Sequence, residues 1–485
     1  MKVHISIIMG PMNFSTPTFL FLFLPLFLTI FLLSERRVRV YVLVAASLIF
    51  LAWGQPVALA WLGAAFAATY GFGLLVERGR GRLPWLWAGI VANLALLVFF
   101  KWTPLYGLAF LPLNWSESAR GLAVPLGLSY FAFQAISYLI DTWRGTIPAE
   151  RNPARLALYL LFFPKLVSGP LVRFKPFNEQ LNDLNPNPEQ IAGGIRRLLA
   201  GFVKRALIAN QLAIFVNAAF NQQTANLEPG FAWLALLAYA LQIYFDFSGY
   251  TDMALGLAAM AGIKLPENFN APYIAESISD FWRRWHISLS TWFREYVFFP
   301  LERRRLPFLG QQINILTVFA LTGLWHGFKP TFLAWGLLHG LAIALEMSGF
   351  GRWLKTAWRP LRHFYTLTVV LAGWVFFRAG SFPFALEFFR RLAGDTTGLV
   401  MRSFRETSPL PFIESSFVIV LVIGLLFCLP LGPWWRGLRA SLEEKRPALF
   451  FIFQPLEDAL LLALFVLGLA ALLAGGFAPN IYANF

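Results

Sequence analysis

Apolar runs of near-span length recur from one end of this chain to the other, and a bilayer core needs about 20 helical residues to cross. They fall at Phe19–Leu33, Val38–Trp53, Val57–Val76, Leu83–Phe100, Val124–Ile140, Trp233–Phe247, Ile313–Trp325, Thr331–Met347, Phe364–Phe377, Phe417–Leu429 and Ala459–Leu473. Lipid offers no partner to a backbone N–H, so each crossing segment must be a helix. Charged residues are only 13% of the chain, against about a quarter in a soluble domain. That density cannot cover the surface of a soluble protein of 485 residues. The fold expected is therefore all-α, a polytopic transmembrane helix bundle of roughly 10–13 spans.

The formal net charge is +15. Arg36, Arg37 and Arg39, and then Arg78, Arg80 and Arg82, flank the second and third runs, while Gly54–Pro56 between them is uncharged. The positive-inside bias puts both basic blocks in the cytosol and the N-terminus on the extracytoplasmic side of a cell membrane. The same basic loops also suit attraction of a phosphorylated or acidic acyl donor. Scattered among spans, they do not suit nucleic acid. The one cysteine, Cys428, lies in an apolar run, which excludes an intrachain disulfide or cysteine-based metal cluster and suits a small buried side chain.

Residues 1–11 read as an extension without structure, and residues 12–485 as a single transmembrane domain. Its polar, site-bearing core is about residues 124–345. Prolines at 148, 153, 164, 170 and 176 break that region. Ile195–Phe220, where Arg196, Arg197, Lys204 and Arg205 alternate with apolar residues, reads as a helix in the interface or packed under the bundle. Irregular backbone between spans is where a membrane enzyme lines a cavity.

Five histidines are present. His4 lies in the extension, and His363, beside Arg359 and Arg362, reads as solvated. His326 closes an apolar run in Gly323-Leu-Trp-His-Gly327. A neutral imidazole there can take the proton of an attacking hydroxyl and return one to a leaving group. Gly323 and Gly327 would let a substrate approach, although a helix-packing histidine fits as well. His286 follows Asp280, Trp282, Arg283, Arg284 and Trp285. On one helix, Asp280 and Arg284 would pair, and Trp282, Arg283 and His286 would share a face. That composition suits either a wet cavity wall or an interfacial aromatic and arginine belt. His339, in an apolar run, reads as structural. Asp246 and Asp252 flank Phe247-Ser-Gly-Tyr-Thr251, a stretch that reads as bent or re-entrant. An ion-coupled transporter could use such aspartates too. P-loop, GxSxG and HExxH patterns are absent, so no metal site is expected.

Five stretches together make the chain resemble the membrane-bound O-acyltransferase (MBOAT) family, in the bacterial branch that acetylates alginate and D-alanylates teichoic acid. They are Val124–Asp141; Phe163–Pro170 with Arg173; Gln242–Met253 with Pro266–Asn270; Asp280–Arg294; and Gly323–Gly327. The resemblance implies about eleven transmembrane helices plus short horizontal or re-entrant ones. It implies catalytic roles for His326 and His286, with Asp246, Asn268, Asp280, Trp282, Arg283, Arg284 and Trp285 binding substrate. Such proteins take an acyl group, here acetyl, from a cytosolic thioester. Acetyl-CoA or an acyl carrier protein supplies it, and no cofactor stays bound. A periplasmic or extracellular SGNH-type partner often completes transfer to a polysaccharide. The resemblance also marks Tyr482, near the end of the chain, as a possible acyl relay; an interfacial anchor is the other reading. A polysaccharide or lipid transporter, or a membrane scaffold for a secreted transferase, is the rival to the enzyme.

Overall fold

The computed structural model describes residues 12–77, 82–106, 124–221, 227–305, 310–397 and 415–475. Residues 1–11 and Tyr482 lie outside them. The described residues are mainly helical, with no strand among them. Contacts divide the chain into two compact units, Met1–Leu198 with Tyr250–Pro266, and Leu199–Gly249 with Glu267–Phe485.

The first unit holds α1 (Thr18–Leu33), α2 (Arg39–Ala52), α3 (Pro56–Glu77) and α4 (Arg82–Tyr106). The shorter α5 (Leu128–Trp143), α6 (Pro153–Leu161), α7 (Phe163–Leu166) and α8 (Phe174–Gln180) follow. Phe163 is an aromatic hub here, 5.4 Å from the rings of Phe23 and Phe27 and 5.5 Å from Phe50. Two positions along, Lys165 is fully buried. Its ammonium donates to Gln134 Oε1 and the Tyr159 carbonyl and lies 4.8 Å from the Tyr159 ring centre. Arg39 is also structural: it donates to the carbonyls of Leu184 at 2.6 Å and Ser34 at 3.2 Å. Only Arg36 and Arg37 of that basic block face outward.

Two long helices follow, α9 (Pro188–Phe220) and α10 (Pro229–Met260). Of the two expectations for α9, an interfacial helix and a packed one, the structure favours packing: Arg197 donates to Asp252 at 2.9 Å, and Arg205 to Asp246 at 2.9 Å. α10 does not bend at Phe247–Thr251 but continues as one helix of 32 residues. Two features keep it continuous. Each aspartate has an arginine facing it, so no unwound backbone is needed to neutralise charge at depth. Gly249 lets α9 approach, since a Cβ there would lie 2.7 Å from the Gly201 carbonyl oxygen. Small residues at such crossings allow backbone contact between membrane helices.

The second unit adds α11 (Ile278–Arg284), α12 (Ile287–Phe293), α13 (Gly310–His326), α14 (Pro330–Glu346), α15 (Gly349–Thr356) and α16 (Arg359–Arg378). It continues with α17 (Phe382–Leu392), α18 (Ser415–Phe427), α19 (Leu431–Lys445) and α20 (Pro447–Gly475). Cys428, just past α18, is buried as anticipated. Among the described residues, α3, α4, α9, α10 and α20 are 5 helices long and apolar enough to cross a membrane; α14 with α15, bent by 78°, makes up to 6. The apolar α1, α2 and α18 are shorter.

Breaking the Arg205–Asp246 pair from one side should be costly. Arg205→Ala is expected to destabilise the detergent-solubilised protein by about 3–5 kcal/mol, since it strips a buried carboxylate of its counter-charge. Arg205→Met with Asp246→Leu should recover most of the loss in apparent Tm.

Candidate active site

α13 and α14 form a hairpin whose close approach depends on glycine. A Cβ on Gly323 would lie 2.5 Å from the Phe332 carbonyl oxygen, and one on Gly336 would lie 2.3 Å from that of Phe319. A Cβ on Gly327 would meet the Phe332 ring at 2.9 Å. Gly323 therefore serves helix packing and does not open a path for substrate, correcting the sequence expectation for that residue, while Gly327 borders the Phe332 ring.

His326 is the last residue of α13 and only 4% exposed. Its ring stands perpendicular to Trp335 at 4.9 Å and packs on Trp325 at 4.5 Å and Phe377 at 5.0 Å. Trp335 in turn meets Trp282 at 5.7 Å and His339 at 5.4 Å. The Trp282 indole N–H donates to His339 Nδ1 at 3.4 Å. Indole nitrogen is a donor only, so Nδ1 of His339 carries the lone pair and the neutral ring holds its proton on Nε2.

His286 does not share a helix face with Trp282 and Arg283. The helix ends at Arg284, and His286 starts α12 with a left-handed backbone, φ +45°. Asn268 holds that turn. Its Oδ1 accepts from the Ser288 amide at 3.0 Å and hydroxyl at 2.9 Å, while its own carbonyl accepts from the Ile287 amide at 3.1 Å. His286 Nδ1 faces the same Oδ1 at 3.3 Å. The Ser288 amide can only donate, so it fixes which end of the Asn268 carboxamide is oxygen. His286 Nδ1 therefore carries the hydrogen, and Nε2 of the neutral ring keeps the lone pair. Asn268 is placed here as a positioning residue for His286.

The rest of the Asp280–His286 segment divides in two. Asp280 accepts from Arg284 at 2.9 Å and Arg283 at 3.2 Å, and Arg284 also donates to the Asn270 carbonyl at 3.3 Å. Arg283 is exposed. Trp282, Trp285 and His286 are buried, the last two at 1% exposure. Trp285 stacks on Phe281 at 5.6 Å and lies 5.0 Å from Trp374. Bulk is inside and charge outside in this segment, so it is not an outward-facing aromatic belt. Asp246 faces Arg205 on α9, and the two side chains are 5% and 2% exposed.

Sequence reading missed the residues that hold α11. Glu346, at the end of α14, accepts from the amides of Ile278 at 2.5 Å and Ser279 at 2.9 Å and from the Ser279 hydroxyl at 2.6 Å. Glu276, just before α11, is held by Arg359 at 2.7 Å and Arg362 at 2.6 Å. His363 is not free in solvent as expected: its Nδ1 lies 3.1 Å from the Ala275 carbonyl. A carboxylate ending an apolar helix was a visible signal for the Glu346 contact, but its partner, 68 residues upstream, was not.

The family described as "MBOAT, membrane-bound O-acyltransferase family" matches residues 149–384, which contain all these groups. A probable alginate O-acetylase AlgI of Azotobacter vinelandii is 37% identical over 429 residues, covering 85% of this chain and 85% of the relative. A protein of the same description from Pseudomonas putida is 35% identical over 494 residues, covering 98% of this chain and 100% of its own. A peptidoglycan O-acetyltransferase of Helicobacter pylori is 35% identical over 421 residues, with 79% and 80% covered.

Asn268→Ala should leave the buried Ser288 donors without their acceptor, at about 1–3 kcal/mol for each unsatisfied group. Asn268→Asp, which keeps an oxygen in place, is expected to retain most of the apparent Tm in detergent, and Asn268→Ala to lose it.

Proposed function

The chain belongs to the membrane-bound O-acyltransferase family, and from that membership we propose that it moves an acetyl group from cytosolic acetyl-CoA to hydroxyls of an exported polysaccharide. The O-acyltransferase class follows from the family. Donor, acceptor and residue roles are our reading. The observation that carries it is a histidine, His326, ending a helix among aromatic rings inside the matched region.

His326 is the general base. Its imidazole takes the acceptor's O–H proton as that oxygen bonds to the thioester carbonyl carbon. The carbon–sulfur bond then breaks, and the proton passes to the departing thiolate, giving an ester and a free thiol. The site suits this cycle in two ways. The carbonyls ending α13 favour the imidazolium that forms. The surrounding rings exclude water, which strengthens each polar contact with the developing oxyanion. In the described conformation the ring is nearly enclosed, so substrates reach it by displacing side chains of its wall; Phe332 and Phe377 are the ones we favour.

His286, with a lone pair on Nε2, orients the acceptor hydroxyl or assists the same proton transfer. Arg283, Arg284 and Trp282 contribute to substrate binding in this reading. Asp246, Asp280 and Trp285 shape the site through the contacts described. Residues 12–485 act as one catalytic domain of about eleven spans in the inner or plasma membrane, with an extracytoplasmic N-terminus and basic loops toward the donor. The relatives are described as alginate and peptidoglycan O-acetylating proteins, which supports an exported glycan as acceptor. An extracytoplasmic SGNH-type protein completes delivery. An acyl carrier protein is the alternative donor, and Tyr482 is an acyl relay in the fullest form of the scheme.

His326→Ala should lower acetyl transfer by about 10²–10⁴-fold, the usual worth of a positioned base. The variant should keep its membrane insertion, with an apparent Tm lowered by the cavity left among Trp325, Trp335 and Phe377. The assay is release of CoA from labelled acetyl-CoA by purified protein with its glycan acceptor. Unchanged release by a folded variant would remove His326 from the chemistry and favour a transport or scaffold role. Mass spectrometry of the C-terminal peptide under turnover tests Tyr482 separately.

A further inference from the structure

α15 differs in character from the helices on either side of it. It turns 78° away from α14. Gly351 and Leu354 are buried, while Arg352, Trp353 and Lys355 are exposed. Trp358, just beyond, is 76% exposed, and Trp353 is 52% exposed. Residues 347–364 contain no aspartate or glutamate. Arg352 and Lys355 make no ion pair among the described residues. The surface is thus two unpaired cations flanked by two tryptophans, on a helix bent out of line with an apolar one.

The flanks of α15 are equally specific. Glu346, three residues before it, caps the N-terminus of α11 through the Ile278 and Ser279 amides. Arg359 and Arg362, at the start of α16, hold Glu276, next to the α11 cap residue Ser277. Both ends of α15 therefore grip the helix that leads into His286. A Cβ on Gly351 would lie 1.7 Å from the Glu346 carbonyl oxygen, so α15 packs directly against the backbone of the residue that makes that grip.

We propose that Arg352, Lys355, Trp353 and Trp358 form a docking surface for anionic phospholipid headgroups, and that its occupancy steadies the hold on α11. Lysine and arginine at the membrane surface bind anionic lipid phosphates, and tryptophan settles between headgroups and acyl chains. An acidic soluble protein would satisfy the cations but not the two exposed indoles. Lipid charge at α15 then sets how firmly the segment before His286 is held.

The test uses the full chain in phosphatidylcholine nanodiscs with or without phosphatidylglycerol, followed by hydrogen exchange of residues 277–286. Phosphatidylglycerol should slow exchange there several-fold in the parent and in the charge-preserving variant R352K/K355R. R352Q/K355Q, altered only at exposed side chains, should lose that protection and retain phosphatidylglycerol about thirtyfold less well by native mass spectrometry. Equal exchange in the two lipids overturns the proposal. So does a phosphatidylglycerol effect that survives in R352Q/K355Q, or protection that appears only when an acidic soluble protein is added. No turnover is needed, so the result stands apart from the acyl-transfer reading.

Discussion

Arg205 and Asp246 meet 2.9 Å apart in the interior of a membrane protein, and neither could sit there alone. An isolated charge at that depth costs several kcal/mol, and removing one member of a buried pair leaves that cost exposed. With its carboxylate neutralised from α9, α10 stays helical through Asp246. It then presents Phe247, whose ring lies 4.7 Å from His286, at a fixed register. One ion pair thereby sets the position of an element that touches the candidate site.

The site is a set of imidazoles distinguished by what each one faces. His339 accepts from an indole. His286 faces an oxygen whose identity a backbone amide fixes. His326 ends a helix, where the free carbonyls favour positive charge. In an apolar interior a neutral imidazole differs from its neighbours mainly by which nitrogen holds the proton, so these contacts assign chemistry as well as position. The left-handed backbone at His286 belongs to the same logic. Strain of that kind persists where neighbouring contacts over-determine it, and Asn268 with Ser288 supplies them.

Closure is the other feature the chemistry has to accommodate. Aromatic rings surround both proposed catalytic histidines, which keeps water from competing for the acyl group but also requires motion for entry. The short α11 is tied at its N-terminus by Glu346 and through Glu276, at the bend that includes α15. A helix of 7 residues has little internal cooperativity, so its order depends on such ties. Lipid bound at α15, as proposed, would reach the site through these few hydrogen bonds.

By itself the sequence determined the class of solvent, the all-helical fold, the pairing of Asp280 with Arg284 and the motifs that carry the family. All of these depend on composition or on residues close in the chain. Tertiary structure decided the rest, because the partners are distant along it. Arg205 lies 41 residues from Asp246, and that separation hid the reason α10 stays unbroken. Asn268 lies 18 residues from His286, so a helical face seemed to continue where a left-handed turn breaks it. Gly323 looked like an opening for substrate until the Phe332 carbonyl was found against it. Periodicity reports the direction a side chain takes from its own helix, but what it meets there is set by the packing of other helices.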